Sequence, residues 1–201
     1  MNFPVYTIFA GVNGAGKSTF YRVINRDFGI RVNADEIVKD KFNHDWRSPA
    51  AQLEAGKIAV KLIRDCISTG SSFNQETTLT GNSVVRNIEK AKAVGFRISL
   101  FYVGLQNVGL SISRVEKRRL AGGHGIPEED LRRRYEDSFA NLKLVLPLCD
   151  EVQIFDNSGE GELDILNPMF VFKDGKYRIS AYCPAYLMDV LQNFIDTLNL
   201  F

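Results

Sequence analysis

Two rhythms of hydrophobic residues alternate along this chain. Residues 5–10 are a short apolar run closed by a glycine, and residues 96–103 are rich in β-branched and aromatic side chains; both read as buried strands. Residues 30–33, 71–75 and 151–156 are further extended segments. Between them, apolar positions recur every three or four residues over 17–28, 49–68, 82–94, 108–120 and 128–146, which predicts helices. The last two make a helical hairpin, broken by Ala-Gly-Gly-His-Gly-Ile-Pro, with Pro127 suited to start the second helix. Further on, 169–172 and 177–180 flank a turn centred on Asp174-Gly175, and 186–198 is an amphipathic helix. Parallel strands need a crossover connection, so this alternation predicts an α/β fold. Its mostly parallel sheet carries helices on both faces and takes ligands at the strands' carboxyl ends.

Composition narrows the classes without choosing among them. The 201 residues suffice for one well-packed core, and with no repeat, linker or low-complexity tract they are expected to form a single domain over 1–201. Hydrophobic residues at 45% and charged residues at 24% exclude a disordered chain and a membrane-embedded one. A net charge of +1 gives no general attraction to nucleic acid or to an anionic bilayer, so neither is an expected partner. The first apolar run stops at Gly11, short of a membrane span, and no cationic leader accompanies it, so a cytoplasmic protein is expected. Cys66, Cys149 and Cys183 lack metal-ligand spacing and read as buried thiols.

Gly11-Val12-Asn13-Gly14-Ala15-Gly16-Lys17-Ser18 matches the pattern G-x-x-x-x-G-K-[ST] throughout and lies between a predicted strand and a predicted helix, as that pattern requires. Its glycines let successive backbone N–H groups curl around a phosphate, and the helix N-terminus adds a positive dipole. Lys17 suits the terminal phosphates, Ser18 offers a hydroxyl to Mg2+, and Thr19 follows in the same helical turn. ATP or GTP with Mg2+ is the expected ligand, since such a loop reads phosphates and not the base. The fold class that follows is a P-loop NTPase-type three-layer α/β/α arrangement. The hairpin at about 107–147 would serve as an arginine-bearing lid, followed by a small C-terminal β-hairpin plus helix.

Three further groups supply candidate chemistry. Asp35, in Asn33-Ala34-Asp35-Glu36, follows the second extended segment. A carboxylate there can take the proton of an acceptor hydroxyl as a phosphoryl group arrives; Asp is equally suited to cap a helix beginning at Glu36, and the two roles are compatible. Glu76 suits holding an acceptor or a magnesium-bound water, and Thr78 a hydrogen bond to a substrate or phosphate oxygen; the plainer alternative is a solvated turn whose threonine caps the next helix. Arg114, Arg118 and Arg119 precede the glycine turn, and Arg132, Arg133 and Arg134 follow it. Closed over a site, guanidinium groups neutralise charge on transferring oxygens and exclude water. The plainer alternative is a charged face paired with Glu128, Glu129, Asp130 and Glu136. Arg114 and Arg118 share a helix face, whereas three consecutive arginines cannot, so at least one of the latter must point away. His124 is either a proton shuttle or a structural hydrogen-bonding group. Asn157 borders the base pocket or belongs to an Asx turn.

On these residues the chain resembles the zeta-toxin family of P-loop kinases, in particular its short members. The resemblance is carried by Gly11 to Ser18, Asn33-Ala34-Asp35, Gln75-Glu76-Thr77-Thr78, the arginine hairpin with Gly122-Gly123-His124 and Pro127, and Phe155-Asp156-Asn157-Ser158. It implies transfer of the γ-phosphoryl group of ATP to a hydroxyl of a small molecule. Characterised zeta toxins use the sugar 3′-hydroxyl of UDP-N-acetylglucosamine and are held inactive by a small antitoxin, so a nucleotide sugar and an antitoxin are the implied partners. It further implies Asp35 as catalytic base, Lys17 as phosphate-binding lysine, Glu76 as substrate-binding acid, and Arg118 with Arg133 or Arg134 as lid arginines. The chain is shorter than the cell-wall toxins, and its Asn33-Ala34-Asp35 and Glu76-Thr77-Thr78 forms belong to the short branch, which leaves the acceptor open. A nucleotide-dependent switch or ATPase without an acceptor is the other function these residues support.

Overall fold

The computed structural model describes residues 3–43, 45–46, 48–123, 125–159 and 167–199. The strands are β1 (Val5–Gly11), β2 (Ile30–Val32), β3 (Phe73–Thr77), β4 (Arg97–Gly104), β5 (Glu151–Asp156), β6 (Phe170–Lys173) and β7 (Lys176–Ile179). They form one sheet in the order β2-β3-β1-β4-β5-β6-β7. The first five positions of that order are parallel, and β6 and β7 extend the sheet antiparallel. The helices are α1 (Lys17–Ile24), α2 (Ala34–Lys41), α3 (Pro49–Thr69), α4 (Ser83–Ala93), α5 (Val108–Leu120), α6 (Glu128–Val145) and α7 (Ala185–Leu198).

The pleat of the central strand explains the layers. Tyr6, Ile8 and Ala10 of β1 enter a core shared with Ile63 of α3, Ile88 of α4, Leu142 of α6 and Leu191 of α7. Phe9 points the other way, into an aromatic cluster with Phe20 of α1, Phe28, Phe101 and Phe155. Phe9 stacks on Phe101 with centroids 5.2 Å apart and meets Phe28 edge-on at 5.0 Å, the two geometries that ring quadrupoles favour. Helices therefore cover both faces, as the alternation of elements predicts, and no helix among the described residues is long and apolar enough to cross a membrane.

Three boundaries differ from the expected ones by more than one residue. Helix α1 ends at Ile24 rather than 28 because Asn25 turns left-handed at φ 42°, which lets Phe28 fold back into the aromatic cluster. Strand β3 lies two residues later than 71–75 and so carries Glu76 within the sheet. Helix α2 begins at Ala34, with Asn33 as its cap, so Asp35 sits in the first turn and is not the cap. The Asn33 side chain accepts the Asp35 backbone N–H at 2.9 Å, which an Asp at the second helical position cannot do for itself.

Candidate active site

Strand β1 delivers the chain to the phosphate loop through Gly11, whose φ of 145° and place against β4 only glycine tolerates: a Cβ there would lie 2.2 Å from the Val103 carbonyl oxygen. Gly14 and Gly16 both have positive φ, and Gly16 caps α1 without a side-chain bond, leaving the first-turn N–H groups of that helix facing a cavity of about 670 Å³. Asn13, Gly14, Gly16, Lys17, Ser18 and Thr19 line this cavity. Gly11, Val12 and Ala15 do not. Gly11 belongs to the sheet, and Val12 and Ala15 are buried in the aromatic core, where they support the loop from behind. Asn157 is likewise set back from the cavity: its amide donates to the Ala15 carbonyl at 2.9 Å and braces the loop.

Lys17 is 8% exposed and donates to the Val12 carbonyl at 3.0 Å. Burial pushes its ammonium below the ordinary lysine range; the charges of Glu76 and Asp35 pull it partly back, and Arg118 pushes it down further. The folded chain thus holds this proton less tightly than the unfolded chain, so keeping Lys17 charged costs stability, and that cost fades as pH rises through the lowered value toward 10.5. Lys17→Met is accordingly expected to raise the thermal unfolding midpoint at neutral pH while removing nucleotide binding, measured by calorimetry and by titration with ATP. A lowered midpoint would show that the lysine's partners outweigh its burial.

The parallel register of β1 and β3 pairs Phe9 with Glu76, which sets that carboxylate beside the loop. Ser18 Oγ donates to Glu76 Oε1 at 2.6 Å, while Arg31 and Asn33 donate to Oε2 at 2.6 and 3.0 Å. With its proton committed to Glu76, the Ser18 oxygen keeps its lone pairs for a cation. A hydroxyl and a carboxylate are the hard oxygen donors that Mg2+ combines with nucleotide phosphates. Thr78 lines the cavity and pairs with Thr80 at 3.1 Å. The turn behind it is tightly held: Leu79 is fully buried at φ 60°, and Asn141 donates to the carbonyls of Leu79 and Gly81.

Asp35 is exposed on the first turn of α2 and lines the same cavity as Lys17 and Ser18, close enough for its charge to reach Lys17. Three arginines of the hairpin, Arg114, Arg118 and Arg134, line it too. Arg114 also lies over the loop, its guanidinium 3.5 Å from the Gly14 carbonyl oxygen. Arg133 does not reach the cavity: it is 60% exposed and paired with Asp130 at 2.7 Å and Asp137 at 3.5 Å on the outer face of α6. Arg119 and Arg132 are similarly engaged by Glu116 and Glu128. The hairpin thus divides between the two readings, three arginines inward and three in surface pairs. His124 lies outside the described residues.

Several wall residues escaped sequence reasoning. Arg22, Val38, Trp46 and Gln52 also line the cavity, with Gln52 donating to the Trp46 carbonyl at 2.6 Å. The chain has a single tryptophan, and its place in a polar connection between helices was the available signal. Taken together the walls present Lys17, Arg22, Arg114, Arg118 and Arg134 against Asp35 and Glu76, an excess of positive charge suited to a polyanion.

Known proteins share this fold or part of this sequence. A protein of Haemophilus influenzae, itself uncharacterised, is 34% identical over 128 residues, 63% of this chain and 89% of that protein. The PezAT toxin-antitoxin system of Streptococcus pneumoniae superposes with a TM-score of 0.61 at 16% identity, over 99% of this chain and 87% of that one. A chain of the Pnkp1/Rnl/Hen1 RNA repair complex gives 0.56 at 22% identity over 70% of this chain, which spans 46%, about half, of its length. At these identities the two structures speak for the fold alone, a mostly parallel sheet covered on both faces. The family model described as zeta toxin matches residues 2–163, well over half the sequence, and the chain belongs to the zeta toxin family.

Proposed function

We propose that this protein is a kinase that moves the γ-phosphoryl group of ATP or GTP to a hydroxyl of a small molecule, with residues 107–147 acting as the lid of a single kinase domain. One observation carries the reading: a phosphate loop, an exposed carboxylate and three inward arginines share one cavity. The triphosphate lies along the Asn13–Thr19 backbone, with Lys17 against its terminal phosphates. Ser18 and Glu76 are the residues that would hold Mg2+, which would supply positive charge to offset that of the phosphate oxygens. Glu76 borders both the metal side of the cavity, through the hydroxyl of Ser18, and the acceptor that the family resemblance assigns to it.

Asp35 orients the acceptor hydroxyl and takes its proton as the new O–P bond forms; the bond from the γ-phosphorus to the bridging oxygen breaks, and the nucleoside diphosphate leaves. Arg118 and Arg134 neutralise the transferring oxygens. Thr78, Gln52 and Trp46 border the acceptor, for which a nucleotide sugar such as UDP-N-acetylglucosamine is the first choice on family grounds. The pneumococcal structure belongs to a toxin-antitoxin system, which supports an antitoxin as a protein partner.

The test is incubation with γ-labelled ATP, Mg2+ and a panel of nucleotide sugars, beside a Lys17→Met control, with products resolved by mass spectrometry. A Lys17-dependent phosphorylated acceptor is expected. Steady ATP hydrolysis with no labelled product across a wide metabolite panel would replace the kinase reading with that of a nucleotide-dependent switch.

A further inference from the structure

Arg31 lies on β2 and is not among the residues that line the cavity, yet it touches much of what holds the cavity together. Its Nη2 donates to Glu76 Oε2 at 2.6 Å and to Glu36 Oε1 at 2.8 Å, Nη1 donates to Asn74 Oδ1 at 3.1 Å, and Nε lies 3.2 Å from both Glu36 oxygens. Its guanidinium carbon sits 3.8 Å from the centre of the Tyr21 ring on α1. One planar group thereby joins the loop-bearing helix, the strand that carries Glu76 and the first turn that carries Asp35. The Arg31 and Glu76 side chains are only 16% and 10% exposed, so this pair is little screened by solvent.

We infer that Arg31 is the positioning residue of the site: by holding Glu76 Oε2 it leaves Oε1 to accept the Ser18 proton, and so sets both oxygen donors for the metal-bound nucleotide. The inference rests on the reading of this cavity as a magnesium-nucleotide site. Its physical basis is competition for one carboxylate. A Glu76 released by Arg31 is free to turn, which takes the carboxylate off Ser18 and spoils the pair of oxygen donors while leaving the backbone of the loop as it is. Only a fork with several donors satisfies Glu76, Glu36 and Asn74 together; the point charge of a lysine reaches one of them.

The experiment measures the affinity of a non-hydrolysable ATP analogue by calorimetry, with Mg2+ and with EDTA, for the wild-type protein, Arg31→Lys and Arg31→Met, each with its thermal midpoint. The affinity gained from Mg2+ is expected to fall by about 10–100-fold in Arg31→Met, the usual effect of losing a group that orients a metal ligand, with Arg31→Lys recovering part of it. Affinity in EDTA, which depends on the loop itself, stays close to wild type. An unchanged magnesium gain in either folded variant, or equal losses with and without the metal, overturns the inference in favour of a purely structural arginine. If Arg31→Met shows no cooperative unfolding, Arg31→Lys decides by the same criterion. A wild-type protein that binds no analogue at all overturns the nucleotide reading, and this inference with it; analogue binding without any magnesium gain overturns this inference alone.

Discussion

Asp35→Asn is expected to slow phosphoryl transfer by about 10²–10⁴-fold, the usual worth of a positioned general base, while nucleotide affinity changes little. The substitution preserves size and hydrogen bonding, and the local structure does not depend on the carboxylate. Helix α2 is capped by Asn33, which accepts the Asp35 backbone N–H, so the Asp35 side chain is not needed to start the helix. Had Asp35 been the cap, loss of its charge would have confused a folding effect with a catalytic one. Single-turnover transfer from γ-labelled ATP, with analogue affinity measured alongside, separates the two. Transfer at the wild-type rate would remove Asp35 from the mechanism and leave the acceptor hydroxyl to be deprotonated by solvent.

Arg134→Ala should lower kcat by about 10³–10⁵-fold, the range seen when an arginine that meets the transferring phosphoryl group is lost, whereas Arg133→Ala should remain near wild type. The adjacent residues make a matched pair. Both substitutions remove one guanidinium from α6, but Arg134 lines the cavity and Arg133 is held outward by Asp130 and Asp137. Exposed pairs of that kind contribute too little to disturb the hairpin. Steady-state kinetics of the two variants give the answer directly. Equal losses would mean that the hairpin rotates during the reaction and brings Arg133 inward.

Much of the architecture is legible in the sequence. The strand and helix alternation holds in all but a few boundaries, because burial on two faces or on one stripe imposes periods of composition that survive along the chain. The exceptions are places where packing overrules the local pattern. Residues 25–28 keep a helical spacing, yet Phe28 gains more by joining Phe9 and Phe101 than the helix gains by another turn. Helix α2 has eight residues and one buried side chain, Val38, too short a stripe to fix its start, which Asp35 suggests at Glu36 and the Asn33 cap sets at Ala34.

The phosphate loop was readable from sequence alone because everything it requires is local: glycines where φ must be positive, a lysine and a serine at the first turn, a strand before and a helix after. The rest of the site is a matter of long-range placement. Ser18 meets Glu76 across 58 positions, Arg31 meets Glu76 across 45, and Arg114 meets Gly14 across 100. No spacing rule spans such distances; sheet order and register bring those residues together. The same holds for the arginine hairpin. Periodicity required that one of three consecutive arginines turn away, but only the packing of α6 beside α5, with acids waiting on its outer face, decided that Arg134 would enter the cavity and Arg133 would not.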